Sequence, residues 1–113
     1  MAETVRAVVL SFKSRGGIGK KMTVTDSSGG TAVDVPGAVT DPTICITNYG
    51  SYPAFVRWGR SPLSTATTDC QCVLQGTQVT FDISELNQAT LYVAAVCESG
   101  ESTKLQVTRG DGN

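Results

Sequence analysis

Gln78-Val79-Thr80-Phe81-Asp82-Ile83 alternates strictly between polar and apolar side chains. Successive side chains of an extended strand point to opposite faces, so Val79, Phe81 and Ile83 share one face and meet a core there. A few residues on, Leu91-Tyr92-Val93-Ala94-Ala95-Val96-Cys97 is apolar throughout, the pattern of a strand covered on both sides. Upstream, Thr43-Ile44-Cys45-Ile46-Thr47 alternates again. Burial favours Ile44 and Ile46 inside, which turns Thr43, Cys45 and Thr47 outward. In Ala54-Phe55-Val56-Arg57-Trp58 the same reasoning places Val56 and Trp58 in the core and Phe55 and Arg57 outside.

Turn punctuation separates these runs: Arg15-Gly16-Gly17, Ser27-Ser28-Gly29-Gly30, Val35-Pro36-Gly37, Asn48-Tyr49-Gly50, Gly59-Arg60-Ser61-Pro62, Gln75-Gly76 and Ser99-Gly100. Strands are expected over residues 4–12, 21–26, 31–35, 43–48, 54–59, 70–74, 78–83, 91–97 and 104–109, all rich in β-branched and aromatic residues. Short strands at this spacing predict an all-β domain, a compact antiparallel β-sandwich or jelly roll. Only Ser84-Glu85-Leu86-Asn87-Gln88 carries a helix signal, a single turn capped by Ser84. Ser64-Thr65-Ala66-Thr67-Thr68 reads as an exposed loop. Arg109-Gly110-Asp111-Gly112-Asn113 reads as a flexible tail that frays or docks on a neighbour. No repeat or linker divides the chain, so residues 1–113 form one domain.

A chain of 113 residues supports one core but not a core plus a deep substrate cleft. Its net charge of −1 sets up no global field that would recruit nucleic acid or an acidic membrane. No apolar run approaches the roughly 20 residues that cross a bilayer as a helix. Met1-Ala2-Glu3-Thr4-Val5-Arg6 does not read as a secretory leader, so folding in a reducing cytoplasm is expected.

Ser14-Arg15-Gly16-Gly17-Ile18-Gly19-Lys20-Lys21 resembles the deviant phosphate loop of the partition and septum-site ATPases. Arg15 stands in place of the signature lysine, and Lys21 stands where a hydroxyl would ligate magnesium. The following Met22-Thr23-Val24-Thr25 continues as strand rather than as the helix that a phosphate needs. A flexible basic hairpin loop over residues 13–21 fits better, with an anion or an acidic neighbour as its partner rather than a nucleotide. Cys45, Cys70, Cys72 and Cys97 read as buried free thiols, ahead of a stapled pair and of zinc, for which one residue between Cys70 and Cys72 is too short a spacing. The chain has no histidine, and its carboxylates fall mostly at turns, so general acid–base catalysis is poorly provided for. No enzyme activity, cofactor or metal is expected. Arg109-Gly110-Asp111 matches the tripeptide read by integrins, by coincidence in a chain of this composition. Tyr49, Tyr52, Phe55 and Tyr92 are available to stack on a ligand, but the basic residues cluster away from tyrosine and tryptophan, against nucleic-acid binding.

From Thr47 onward the order of pieces carries a further signal. Thr47-Asn48-Tyr49-Gly50-Ser51 ends a strand in a turn, and Ala54-Phe55-Val56-Arg57-Trp58-Gly59 sets an arginine strand closed by glycine. Leu74-Gln75-Gly76-Thr77 leads into Val79-Thr80-Phe81, and Thr90-Leu91-Tyr92-Val93-Ala94-Ala95-Val96 precedes Leu105-Gln106-Val107-Thr108-Arg109-Gly110. This order, over the C-terminal two thirds, is similar to small virion structural proteins of tailed bacteriophages, in particular head decoration or cement proteins. The resemblance implies a non-enzymatic protein assembled in the host cytoplasm and located in the virion. It would bind the major capsid protein or other virion proteins as a homo-oligomer, with a trimer favoured. Lys13, Arg15, Lys20, Lys21 and Arg109 are the expected protein contacts. A tail, collar or head-fibre base component shares these features. A carbohydrate-binding module is the other alternative, and it requires aromatics such as Trp58 on an open face.

Overall fold

The computed structural model describes residues 13–27, 30–35, 43–60, 65–83 and 91–111. Within them lie eight strands: β1 (Lys13–Val24), β2 (Thr31–Val35), β3 (Thr43–Asn48), β4 (Ala54–Gly59), β5 (Gln71–Val73), β6 (Gln78–Asp82), β7 (Leu91–Val96) and β8 (Thr103–Asp111). They form two four-stranded sheets, ordered β1-β8-β3-β6 and β2-β7-β4-β5. Every ladder is antiparallel. Four pairings, β1 with β8, β2 with β7, β3 with β6 and β4 with β5, are those of one long hairpin of paired strands folded in half and rolled up. Two sheets built this way are a jelly roll, so the all-β sandwich expected from the alternation is the fold.

The alternation selects the inner faces as read. Ile44, Ile46, Val56, Val93, Leu105 and Val107 are almost wholly buried between the sheets. Each aliphatic side chain removed from water contributes about 1.5–3 kcal/mol before ordering costs. On the flank of the sandwich, Trp58 of one sheet stacks on Phe81 of the other with ring centroids 4.7 Å apart. Val79 and Phe81 pack against the same core.

Strand β7 is covered on both faces, as its unbroken apolar run requires. Leu91, Val93 and Ala95 face the other sheet, while Ala94 and Val96 pack on the outside against Ala66 and Phe55. Ala66 is 1% exposed. The described part of the β4–β5 connection, through Ala66 and Cys70, therefore lies over the outer face of its sheet. Thr65, Thr67 and Thr68 face solvent as expected of that segment, but Ala66 does not. Cys45 lies on the outward side of β3, as the alternation sets it, and is nonetheless buried at 5%, as expected of a buried free thiol.

Two larger expectations fail. Residues 13–21 are not a basic hairpin loop. They are the first part of β1, which pairs with β8 from Lys13↔Asp111 to Val24↔Thr103. A register shift between Ser14 and Gly19 takes up the Gly-rich stretch as an irregularity in the ladder, so local turn signals yield to a long partner strand. Nor does the chain fray at Arg109. Strand β8 continues to Asp111 because β1 and β3 both pair with its last residues, through Lys13↔Asp111 and Thr43↔Gly110. Gly112 and Asn113, the expected strand at 4–12 and the turn at 84–88 lie outside the described residues.

Candidate interaction surface

One pole of the roll carries the connections β1–β2, β3–β4, β5–β6 and β7–β8. The sequence builds it around Asn48, the last residue of β3, which is 0% exposed. Its side-chain amide donates to the carbonyls of Tyr52 (2.9 Å) and Val73 (3.0 Å). Its Oδ1 accepts from the Thr103 hydroxyl (2.7 Å) and the Gly50 N–H (3.1 Å). Its backbone N–H donates to Thr77, and its carbonyl accepts from Gly76. One carboxamide thus joins the β3–β4 loop, the end of β5 and the start of β8. A residue with both donor and acceptor on a short stem is what such a junction needs. Tyr49 N–H donating to the Lys104 carbonyl at 3.0 Å closes the knot.

Around Asn48 the loops present large apolar side chains to solvent. Tyr49 is 47% exposed, Tyr52 44% and Leu74 56%. Among the described residues these are the exposed large hydrophobic side chains, and all three sit on two loops tied to one buried residue. Aromatic side chains held rigidly at a surface contribute contact area with little ordering cost on binding.

The β7–β8 connection is fixed separately. Gly100 N–H donates to Asp26 Oδ2 at 2.8 Å, Glu101 N–H to the Glu98 carbonyl at 3.0 Å, and Cys97 N–H to the Thr25 carbonyl at 2.9 Å. A surface hollow of about 450 Å³ lies on the incoming side of this connection, lined by Asp26, Val96, Cys97, Glu98 and Ser99 among others. Another of about 310 Å³ lies on the outgoing side, lined by Thr23, Tyr49, Ser51, Ser102, Thr103 and Lys104 among others.

The expected contact residues are dispersed. Lys13 and Arg15 lie in β1, an edge strand. Lys20 pairs with Asp34 of β2 at 3.4 Å, an exposed ion pair that ties the edges of the two sheets. Lys21 projects to solvent on the outer face of its sheet, opposite Gln106 in the ladder. Arg109 is 1% exposed, on the same alternation as Leu105 and Val107, and so is removed from any contact surface. In the sequence alone, Asn48-Tyr49-Gly50 reads only as a turn. The asparagine at the end of a strand was the available signal, but its partners lie as far off as Val73 and Thr103.

All four cysteines are free, Cys45 and Cys97 buried and Cys70 and Cys72 half-buried. Burial pushes the Cys45 thiol up from its ordinary value, against a smaller opposing effect of a hydrogen bond with Thr80. Burial also raises the Cys97 thiol, reinforced by the negative charges of Glu101 and Asp26. Both thiols are therefore poor nucleophiles at neutral pH. Trp58 is half-buried, with its ring packed against Phe81, so only part of it is open to a ligand such as a sugar. Comparison with protein-family models, with curated proteins and with solved structures finds no match to this chain.

Proposed function

We propose that the chain is a non-enzymatic structural protein of a tailed-phage virion, a decoration protein that binds the outer surface of the head and stabilises it. The observation that carries this reading is the pole: Tyr49, Tyr52 and Leu74 stand exposed on loops that a buried Asn48 locks from within. Such a surface is organised before a partner arrives, so binding loses little to the ordering of loops. The eight-stranded jelly roll supports the same reading, since viral capsid domains use this architecture repeatedly. So does the order of strand and turn pieces from Thr47 onward. The partners are the major capsid protein or other virion proteins, together with further copies of this chain.

Cryo-electron microscopy of the virion tests it. The expected result is a two-layered β domain on the outside of the head with the Tyr49 pole against a neighbouring protein. Density confined to the tail or collar, or none on the particle, would reject the head assignment. In solution, Tyr49→Ser combined with Tyr52→Ser should weaken binding to heads that lack the protein by at least about tenfold, with an unchanged melting profile.

A further inference from the structure

We infer that the β7–β8 connection is a self-association element, docking a second copy of this chain through hollows of opposite charge on its two sides. The inference rests on the reading above only for the existence of an oligomer, and it supplies the surface. The two sides of the connection differ in sign. Its incoming limb lines one hollow with Glu98, next to Asp26 from the β1–β2 connection. Its outgoing limb lines the other with Lys104, next to the half-exposed ring of Tyr49. Glu98 and Lys104 both face solvent.

The element is also rigid. Gly100 is held by Asp26, Glu101 by the Glu98 carbonyl, Cys97 by Thr25, and the Lys104 carbonyl by Tyr49. The backbone that carries its two charged side chains is therefore held in place, which favours a directional contact between copies. A second copy that sets its Lys104 side on the Glu98 and Asp26 side of the first pairs opposite charges and covers Tyr49. The reverse setting, like on like, is repelled. The complementarity therefore fixes orientation as well as partner. A net charge of −1 leaves little overall repulsion between copies to oppose it. Exposed ion pairs are individually weak and screened by salt, so the association should be modest and salt-sensitive, with Tyr49 contributing the apolar part.

Sedimentation equilibrium of the full chain tests this at about 0.05 M and about 0.5 M salt, ionic strengths on either side of the physiological screening length. The wild type should self-associate, with a dissociation constant that rises at least about tenfold between the two conditions. Glu98→Lys and Lys104→Glu should each weaken the low-salt association by about tenfold or more, while the double swap in one chain restores it. Both residues are exposed, so melting profiles should stay close to the wild type and separate lost association from lost fold. A monomeric wild type, indifference to either single swap, or a double swap that fails to rescue would each overturn the inference. Single, separate copies on the phage head would reject self-association and keep the decoration reading. A salt-sensitive oligomer absent from the head would do the reverse.

Discussion

The two halves of the pole solve one problem with unequal means. The β3–β4 and β5–β6 loops are gathered by Asn48, a neutral side chain at 0% exposure that makes four side-chain hydrogen bonds. The β1–β2 and β7–β8 connections are joined by Asp26, an exposed carboxylate that accepts one bond from the Gly100 N–H. Both residues stand at or just past the end of a strand, and both hold backbone that its own loop cannot satisfy. The difference lies in water. Around Asn48 a lost partner leaves buried groups with nothing in its place, whereas around Asp26 solvent steps in. The first junction is thus sealed from water, and the second is held by a solvent-facing bond beside charged surface.

Asn48→Ala is the severest way to break the contrast. It leaves the Val73 carbonyl and the Thr103 hydroxyl without their buried partner, and the expected loss is roughly 3 kcal/mol. A urea transition should move to a lower midpoint with unchanged slope. Gly50→Ala attacks the same junction sterically. A Cβ there would overlap Thr103 Oγ1 and approach Lys104 N within 2.6 Å, for an expected cost of about 2 kcal/mol from overpacking.

The matching change on the other side, Gly100→Ala, meets open space. Its penalty is only that of a left-handed backbone at φ +81°, about 1 kcal/mol. Reversing the order of the two glycine variants in the same melt would contradict the contrast. Asp26→Ala should cost least, about 0.5 kcal/mol, while speeding hydrogen exchange at Gly100. A loss as large as that of Asn48→Ala would make the two junctions equivalent.

The buried thiols give a pH-dependent counterpart. Cys45 and Cys97 are raised above the ordinary thiol value of 9.0 in the folded chain, so unfolding releases protons from them at alkaline pH. Their contribution is fully present below that value and is lost as pH rises through their higher folded values. Stability should therefore fall as pH climbs above 9, and Cys45→Ala with Cys97→Ala should flatten that fall.

Most of the fold was legible because it rests on local alternation. Val79, Phe81 and Ile83, or Ile44 and Ile46, declare their face without knowledge of any partner strand. The unbroken apolar run of β7 announced two covered faces, and Ala66 proves to be part of the second cover. What could not be read depends on pairing across distance. Residues 13–21 carry loop composition, yet β8 draws them into a ladder. Arg109 looks like a tail residue until β1 and β3 extend the sheet to either side of it. Asn48 was visible only as a turn residue, since its hydrogen-bond partners include Val73 and Thr103, 25 and 55 positions away. The surface at the pole followed it into obscurity: Tyr49 and Tyr52 were available rings, but nothing local showed that one buried amide would hold them with Leu74.

Amide hydrogen exchange of the free protein tests whether the pole is organised before any partner binds. The N–H groups of Asn48, Tyr49, Gly76 and Cys97 should be protected to the level of the neighbouring strands, since each has a backbone acceptor within 3.0 Å. Exchange at unstructured rates at these four positions, with protection appearing only on binding, would contradict the account.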